Sequence, residues 1–379
     1  MKINIIKRAL AAASAFVVTA ALALTVTVRP AFAASNDLNE VVKTYLTGDA
    51  SGASAASKFA DGSSRFVGAE QVNSGFDGYT FLDIRTDALY NAGHITGSYH
   101  IEYGTGLADN FRYIPLDKPI VVVSNDGQLG WQVTGALNVI FANEGIGTKV
   151  ICWQGGYVAD GIDSSKISTE TVALPTETNA LSDAGNGLLA DYVGGLTSAA
   201  FPNFIVSEED TWNIISEIYN NSKTYLDKYT VVLLPAFGGT YAGDFNDSIF
   251  RSDYGGTEGA AKLTSLDKSK IILVACGSGQ TSDNTAGALR IAGYDAYSVR
   301  NGWGGNKGEI TGDTKGGGIQ AYDAAQLEAG KKPLFKENVP DAIENPKNWI
   351  PLVVIGGVIV VAAAVIIPIA VSKKKKSKK

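Results

Sequence analysis

Cysteine, histidine and methionine are scarce in this chain of 379 residues, which contains two, two and one of them. The two cysteines, Cys152 and Cys276, cannot form a framework of disulfides, so apolar cores must stabilise the folded part. The two histidines, His94 and His100, are too few for a histidine-based zinc site or catalytic triad in both halves of the chain. We therefore expect neither a metal nor a cofactor.

Basic residues are also few relative to acidic residues in the central part of the chain. Of the 32 Lys and Arg residues, four lie in the first 33 residues and six in the last eight, whereas all 38 acidic residues lie between these ends. The central part therefore carries 22 basic against 38 acidic residues, a formal charge of −16. Nucleic acids and anionic membrane surfaces are bound by clustered Lys and Arg, so this composition argues against both as partners.

Residues 1–33 are typical of a secretory signal peptide. Lys2, Lys7 and Arg8 precede an apolar stretch over residues 9–28, and Ala31-Phe32-Ala33 fits the pattern that signal peptidase cleaves. The apolar stretch is also long enough to span a bilayer, so an uncleaved signal anchor is the alternative.

The other end predicts a membrane anchor. Residues 349–371 contain no charged side chain, and residues 372–379 form a lysine-rich tail, which the positive-inside rule places in the cytoplasm. A buried core helix is the alternative. Together the two ends predict a single-pass protein of the cell membrane with residues 34–348 outside the cytoplasm, either periplasmic or extracellular.

Between the two ends, buried-strand patterns alternate with helical ones. Phe81–Ile84, Ile120–Val123 and Lys149–Cys152 are apolar runs of strand length, and Trp131–Phe141 has the apolar spacing of a helix. This alternation predicts an α/β fold in which parallel sheets are flanked by helices.

Part of this pattern occurs twice. Leu116-Asp117-Lys118 recurs as Leu266-Asp267-Lys268, an offset of 266 − 116 = 150. Ser124 to Gln128 then corresponds to Cys276 to Gln280, and Gly135-Ala136-Leu137 to Gly287-Ala288-Leu289, both at an offset of 152. Segments that match in the same order indicate an internal repeat. The predicted organisation is a leader over 34–63, a first domain over 64–162, a linker over 163–200, a second domain over 201–325 and a stalk over 326–348.

The second copy contains a loop whose residues are suited to nucleophilic chemistry. The apolar run Ile271–Ala275 leads directly into Cys276, and a helical pattern follows. Backbone N–H groups in such a strand–loop–helix converge, and the helix dipole adds positive charge, which favours a nucleophilic thiolate. The candidate nucleophile is Cys276, and the candidate loop residues are Gly277, Ser278, Gly279, Gln280 and Thr281.

These segments resemble the rhodanese and mercaptopyruvate sulfurtransferase superfamily over residues 64–320. The resemblance lies in Leu82-Asp83-Ile84-Arg85, in Gly93-His94-Ile95-Thr96-Gly97, in the Cys276 loop and in Asn301-Gly302-Trp303. It implies that a Cys276 persulfide carries sulfur from a small donor of the thiosulfate or mercaptopyruvate type to a thiol or cyanide acceptor. The loop lacks the arginine of the related phosphatase branch, which argues against phosphate ester hydrolysis.

The chain departs from this family pattern at two places. The nucleophile position of the first copy is Ser124, which cannot carry a persulfide, so the resemblance implies a silent first domain. Before the second loop, Leu234-Pro235-Ala236 replaces the expected Asp-x-Arg segment. The candidates for the missing substrate-binding arginine are Arg85, Arg251 and Arg300.

Less specific interpretations fit the same residues. Cys276 would be a buried free cysteine if its side chain faced the core. Cys152 is predicted to be inert packing, and a Cys152–Cys276 disulfide would require the two domains to face each other closely. The alternative to a sulfurtransferase is a non-catalytic rhodanese-like module that binds or senses a partner at the membrane surface.

Overall fold

The computed structural model describes residues 36–48, 58–125, 127–157, 161–234, 242, 248–251, 257–304 and 318–335. All of these belong to one compact unit, Met1–Asn338. The predicted signal peptide, membrane helix and lysine tail lie outside the described residues. Within the described part, none of the helices combines the length and the apolar character needed to cross a bilayer.

The first sheet consists of five parallel strands in the order β1-β6-β5-β2-β4. A separate antiparallel pair joins β3 to β7. The strands of this half are β1 (Phe66–Val67), β2 (Thr80–Asp83), β3 (His94–Ile95), β4 (Tyr99–His100), β5 (Ile120–Val123), β6 (Val150–Trp153) and β7 (Ile167–Ser168).

The second sheet also has five parallel strands, in the order β8-β12-β11-β9-β10. Strand for strand, this is the order of the first sheet, with β5 and β11 at the centre. The strands are β8 (Ile205–Val206), β9 (Tyr229–Leu233), β10 (Ile249–Arg251), β11 (Ile271–Ala275) and β12 (Asp295–Val299). The fold is therefore α/β with parallel sheets, as the sequence predicts. Since both sheets lie in one compact unit, the predicted division into two domains is not confirmed.

Helices cover the sheets and join their strands. In the described residues they are α1 (Asn36–Thr47), α2 (Ala69–Gly75), α3 (Asp87–Ala92), α4 (Thr105–Asn110), α5 (Gln128–Glu144), α6 (Asp183–Gly194), α7 (Glu208–Tyr219), α8 (Lys223–Lys228), α9 (Thr257–Leu263), α10 (Gln280–Ile291) and α11 (Gly318–Glu328).

Helices α5 and α10 cross at the centre of the compact unit, and both are buried along most of their length. The crossing requires glycine on each helix. A Cβ atom at Gly135 would lie 2.1 Å from the carbonyl oxygen of Asn284, and one at Gly287 would lie 2.1 Å from that of Gln132. These glycines are the matched residues of the repeat, so the sequence repeat marks the closest contact between the two halves.

The helix that precedes each sheet packs against the other half. Helix α1 comes before the first sheet but contacts α9 and α10, whereas α6 comes before the second sheet and contacts α4 and α5. Helix α1 is also bonded across the halves, because the Tyr45 hydroxyl donates a hydrogen bond of 3.1 Å to Asn284 Oδ1. Reciprocal packing of this kind explains why the two halves form one compact unit.

Two predicted connecting segments are more ordered than expected. The predicted linker contains the twelve-residue helix α6, with Leu189, Tyr192 and Val193 buried. In the range of the predicted stalk, α11 extends to Glu328 and the side chains of Leu334 and Phe335 are buried. Phe335 packs edge-on against Trp303 at 5.0 Å between ring centroids. Apolar burial therefore holds both segments to the fold.

Candidate functional site

Cys276 lies directly after the central strand β11, at the carboxyl edge of the second sheet. Gly279 caps helix α10 with a left-handed backbone (φ 92°), which turns the chain from the strand into the helix. The turn after β12 fastens this loop, because Trp303 N–H donates to the Cys276 carbonyl at 2.8 Å and Gly304 N–H to the Gly277 carbonyl at 3.0 Å. The loop is thus held to this turn by two backbone hydrogen bonds.

The Cys276 thiol is buried behind this loop. Only 1% of the residue is exposed, and it belongs to the main apolar core. Among the described residues, one backbone group donates to its Sγ, the N–H of Ser282 at 3.4 Å. The sequence predicts several converging N–H groups, so the cradle is less complete than expected. The remaining electrostatic support comes from the N-terminus of α10, which begins at Gln280.

The first half contains a corresponding loop with a serine. Ser124 follows strand β5, and Gly127 caps α5 in nearly the same conformation as Gly279 (φ 85°). Ser124 Oγ accepts hydrogen bonds from the N–H groups of Gly127 and Gly130, each at 3.1 Å. The Ser124 carbonyl accepts from Tyr157 N–H at 2.8 Å, as Cys276 accepts from Trp303. Ser124 therefore has the more complete cradle, with two backbone donors against one for Cys276.

Cys152 packs beneath the Ser124 loop. Its side chain is fully buried, and its Sγ lies 3.7 Å from the Gly127 carbonyl oxygen and 3.4 Å from that of Trp153. Both cysteines are free thiols, so the Cys152–Cys276 disulfide is not formed. The position agrees with the predicted packing role.

The candidate arginines differ in what the structure describes of them. Arg85 belongs to the Ser124 side, because its guanidinium stacks at 3.6 Å on the ring of Tyr157. It is also paired with the buried Asp83, with Nη2 2.6 Å from Oδ2 and Nε 3.0 Å from Oδ1. Arg300 is half-buried, and its backbone N–H donates to the Val206 carbonyl. The side chain of Arg251 lies outside the described residues.

The histidines have packing roles. The His94 ring stacks on the Tyr90 ring, with 3.7 Å between the ring centroids. Its Nδ1 lies 3.0 Å from the Tyr90 carbonyl oxygen, and its Nε2 lies 3.0 Å from the Glu170 carbonyl oxygen. The His100 ring also stacks on the Tyr90 ring, with 4.3 Å between the ring centroids. In the part of the chain that the structure describes, no group of three metal-ligating side chains comes together.

The sequence interpretation missed the polar cluster behind the Cys276 loop. Asp283 is fully buried in the first turn of α10 and accepts hydrogen bonds from the side chains of Gln128, Gln132 and Ser298. A signal was present in the sequence, because the repeat offset of 152 makes Trp131 the residue of the first copy that corresponds to Asp283. A carboxylate that replaces an aromatic residue in a buried helix indicates a local polar requirement.

Comparison with known proteins finds a family similarity in one part of the chain. Residues 69–160 match the model of the Rhodanese-like domain, so this segment of the first half is similar to that family. The match contains Ser124 and ends well before Cys276. A search of curated proteins found no match to the chain.

Similar solved structures include one rhodanese-related protein and two enzymes whose names refer to sulfur compounds. A rhodanese-related protein of Thermoplasma volcanium is 20% identical, with 28% of this chain and 99% of that chain covered and a TM-score of 0.21. A 3-mercaptopyruvate sulfotransferase of Escherichia coli is 16% identical, with 64% and 99% covered and a TM-score of 0.28. Thiosulfate sulfurtransferase of Pseudomonas aeruginosa is 13% identical, with 69% and 46% covered and a TM-score of 0.23. At these TM-scores no site residue is transferred to this chain.

Proposed function

We propose that this protein is a sulfurtransferase in which Cys276 carries sulfane sulfur as a persulfide. The carrying observation is that Cys276 Sγ accepts the Ser282 N–H at the start of α10, as Ser124 Oγ accepts the Gly130 N–H at the start of α5 in the rhodanese-like segment. A backbone donor and a helix N-terminus both stabilise negative charge on sulfur. They support the thiolate before attack and the terminal persulfide sulfur after it.

The reaction has two steps. The Cys276 thiolate attacks the outer sulfur of thiosulfate, an S–S bond forms, and the S–S bond of the donor breaks with release of sulfite. With mercaptopyruvate, the C–S bond breaks and a proton completes the released pyruvate. An acceptor thiolate or cyanide then attacks the outer sulfur of the persulfide, which restores the Cys276 thiolate. Ser124 takes no part, because a hydroxyl does not form the persulfide.

We further propose that this chemistry takes place outside the cytoplasm on a single-pass membrane protein. The support is in the sequence of the two ends, the signal-like residues 1–33 and the apolar residues 349–371 with their lysine tail. Cysteine labelling with a membrane-impermeant maleimide on intact cells tests this. A cysteine placed at the exposed Ser165 should be labelled, and one placed at Ser377 should be labelled only after lysis.

The persulfide is the first testable prediction. The full chain, incubated with thiosulfate or with mercaptopyruvate, should gain about 32 Da, the mass of one sulfur atom, on the peptide that contains Cys276. Intact and peptide mass spectrometry measure the adduct. Cys276→Ser should remove it completely, and Ser124→Ala should keep it. If the wild-type chain stays unmodified with both donors, the transfer mechanism fails.

A non-catalytic rhodanese-like module is the second candidate. Two observations favour it: only 1% of Cys276 is exposed, and the family match covers the half with serine at the nucleophile position. In that case the carboxyl edge of the first sheet would bind a partner or a small anion at the membrane surface. Absence of any adduct, together with binding that Cys276→Ser leaves unchanged, would select this function.

A further inference from the structure

The Cys276 loop is in direct contact with the first half of the protein. Gln128, the first residue of α5, follows the silent Ser124 loop, and 1% of it is exposed. A Cβ atom at Gly279 would lie 2.8 Å from Gln128 Nε2, so the amide of Gln128 packs on the residue that caps α10. The first half thus packs against the Cys276 loop through the side chain of Gln128.

The same amide binds a buried carboxylate of the second half. Gln128 Nε2 donates to Asp283 Oδ2 at 3.1 Å, and Gln132 Nε2 donates to Oδ1 at 3.2 Å. Ser298 on β12 also donates to Asp283. A fully buried carboxylate needs several donors, and two of these come from α5 across the helix crossing.

Asp283 is adjacent to the group that reaches the thiol. It follows Ser282, whose N–H donates to Cys276 Sγ, and its own N–H donates to the Gly279 carbonyl at 2.8 Å. A shift of the Asp283 side chain therefore moves the first turn of α10 and the Ser282 amide with it. The cluster is not part of the repeat, because the matching position in the first half is Trp131.

We propose that Gln128 of the silent half is a positioning residue for Cys276, which acts through Asp283 to keep the Ser282 N–H directed at the thiol. The first half then has a role in the second half's chemistry although its own nucleophile position is a serine. The proposal rests on the proposed function in one respect only, that Cys276 is the working thiol. Its physical content, the link from Gln128 to the thiol, is measurable without any sulfur donor.

The test follows thiolate formation in the full chain. The ultraviolet absorbance of the thiolate is recorded against pH, and the curve of the matching Cys276→Ser protein is subtracted, which removes Cys152 and the tyrosines. In Gln128→Met the midpoint should rise by about one pH unit, a tenfold loss of thiolate below the midpoint. Two effects act in this direction, the weaker Ser282 contact and the less compensated Asp283 charge. Adding Asp283→Asn to Gln128→Met should bring the midpoint back toward the wild-type value, because a neutral side chain no longer requires the lost donor.

The control is another buried amide on the same helix. Asn138 donates to the carbonyls of Thr134 and Val150, at 2.8 Å and 2.7 Å, which both belong to the first half, so Asn138→Ala should lower stability and leave the midpoint unchanged. An unchanged midpoint in Gln128→Met, or an equal shift in Asn138→Ala, overturns the proposal. A shifted midpoint together with no sulfur adduct on the wild-type chain would instead leave the positioning role intact and remove the sulfurtransferase function.

Discussion

Alanine at Gly135 or at Gly287 should each lower the free energy of unfolding by about 3 kcal/mol, the upper part of the range for overpacked cores. Each added Cβ would lie 2.1 Å from a backbone carbonyl oxygen of the opposite helix. Backbone atoms cannot rotate away as a side chain can, so α5 and α10 must separate by about 1 Å and lose contacts along the whole crossing. Denaturant unfolding of the full chain, followed by tryptophan fluorescence, measures the loss.

The matched control is a glycine in a helix with free space around it. A Cβ atom at Gly187 in α6 would meet nothing within 4 Å. Gly187→Ala should therefore stabilise the protein by up to about 1 kcal/mol through helix propensity. If Gly135→Ala and Gly287→Ala behaved like Gly187→Ala, the described contact between the two halves would be wrong.

The elements around the nucleophile positions could be predicted from local sequence. The runs Ile120–Val123 and Ile271–Ala275 are the observed strands β5 and β11. Both are central strands buried on two faces, so their apolar character is continuous and their ends are marked by Ser124 and Cys276. The repeat offset of 152 then locates the matched glycines of the helix crossing. The local sequence pattern was therefore sufficient to predict these two strands, because both are buried and each is followed by a turn that requires glycine.

The helices that precede the two sheets, α1 and α6, pack against the opposite halves, and this could not be predicted from local sequence. The periodicity of α1 indicates an apolar face but does not say which half of the protein covers it. Helix α6 was hidden because Gly185, Gly187 and Gly194 give its segment the composition of a linker. Its stability comes from tertiary packing of Leu189, Tyr192 and Val193, which composition does not report.

The environment of Cys276 was predicted only in outline. The loop position and the helix N-terminus follow from sequence, but the direction of each amide depends on contacts with distant residues. Trp303 fastens the loop from the next strand end, and Gln128 contacts it from the other half of the chain. Long-range contacts of this kind decide how many N–H groups reach the sulfur, and one does among the described residues.

The ion pair of Arg85 and Asp83 gives the other large expected effect. Arg85→Met should destabilise the protein by about 3–5 kcal/mol, because it leaves the fully buried Asp83 without its bidentate partner. Arg85→Lys should recover only part of this, since an ammonium group cannot reproduce the fork or the stacking on Tyr157. The matched control is Arg112→Met, whose pair with Asp183 spans 3.6 Å with side-chain exposures of 37% and 101%, and which should change stability by less than about 0.5 kcal/mol.

The same variants decide whether Arg85 binds a sulfur donor or supports the fold. Asp83→Asn combined with Arg85→Met removes both charges, so the double variant should be less destabilised than Arg85→Met alone. A double-mutant cycle measured by denaturant unfolding records this difference. Arg85 is tied to the Ser124 side of the protein, by Asp83 and by the Gly93 carbonyl at 2.8 Å. At a temperature where the variant is folded, Arg85→Met should therefore still form the Cys276 adduct at the wild-type donor concentration. A loss of adduct without a loss of stability would return Arg85 to the substrate site and contradict its structural role.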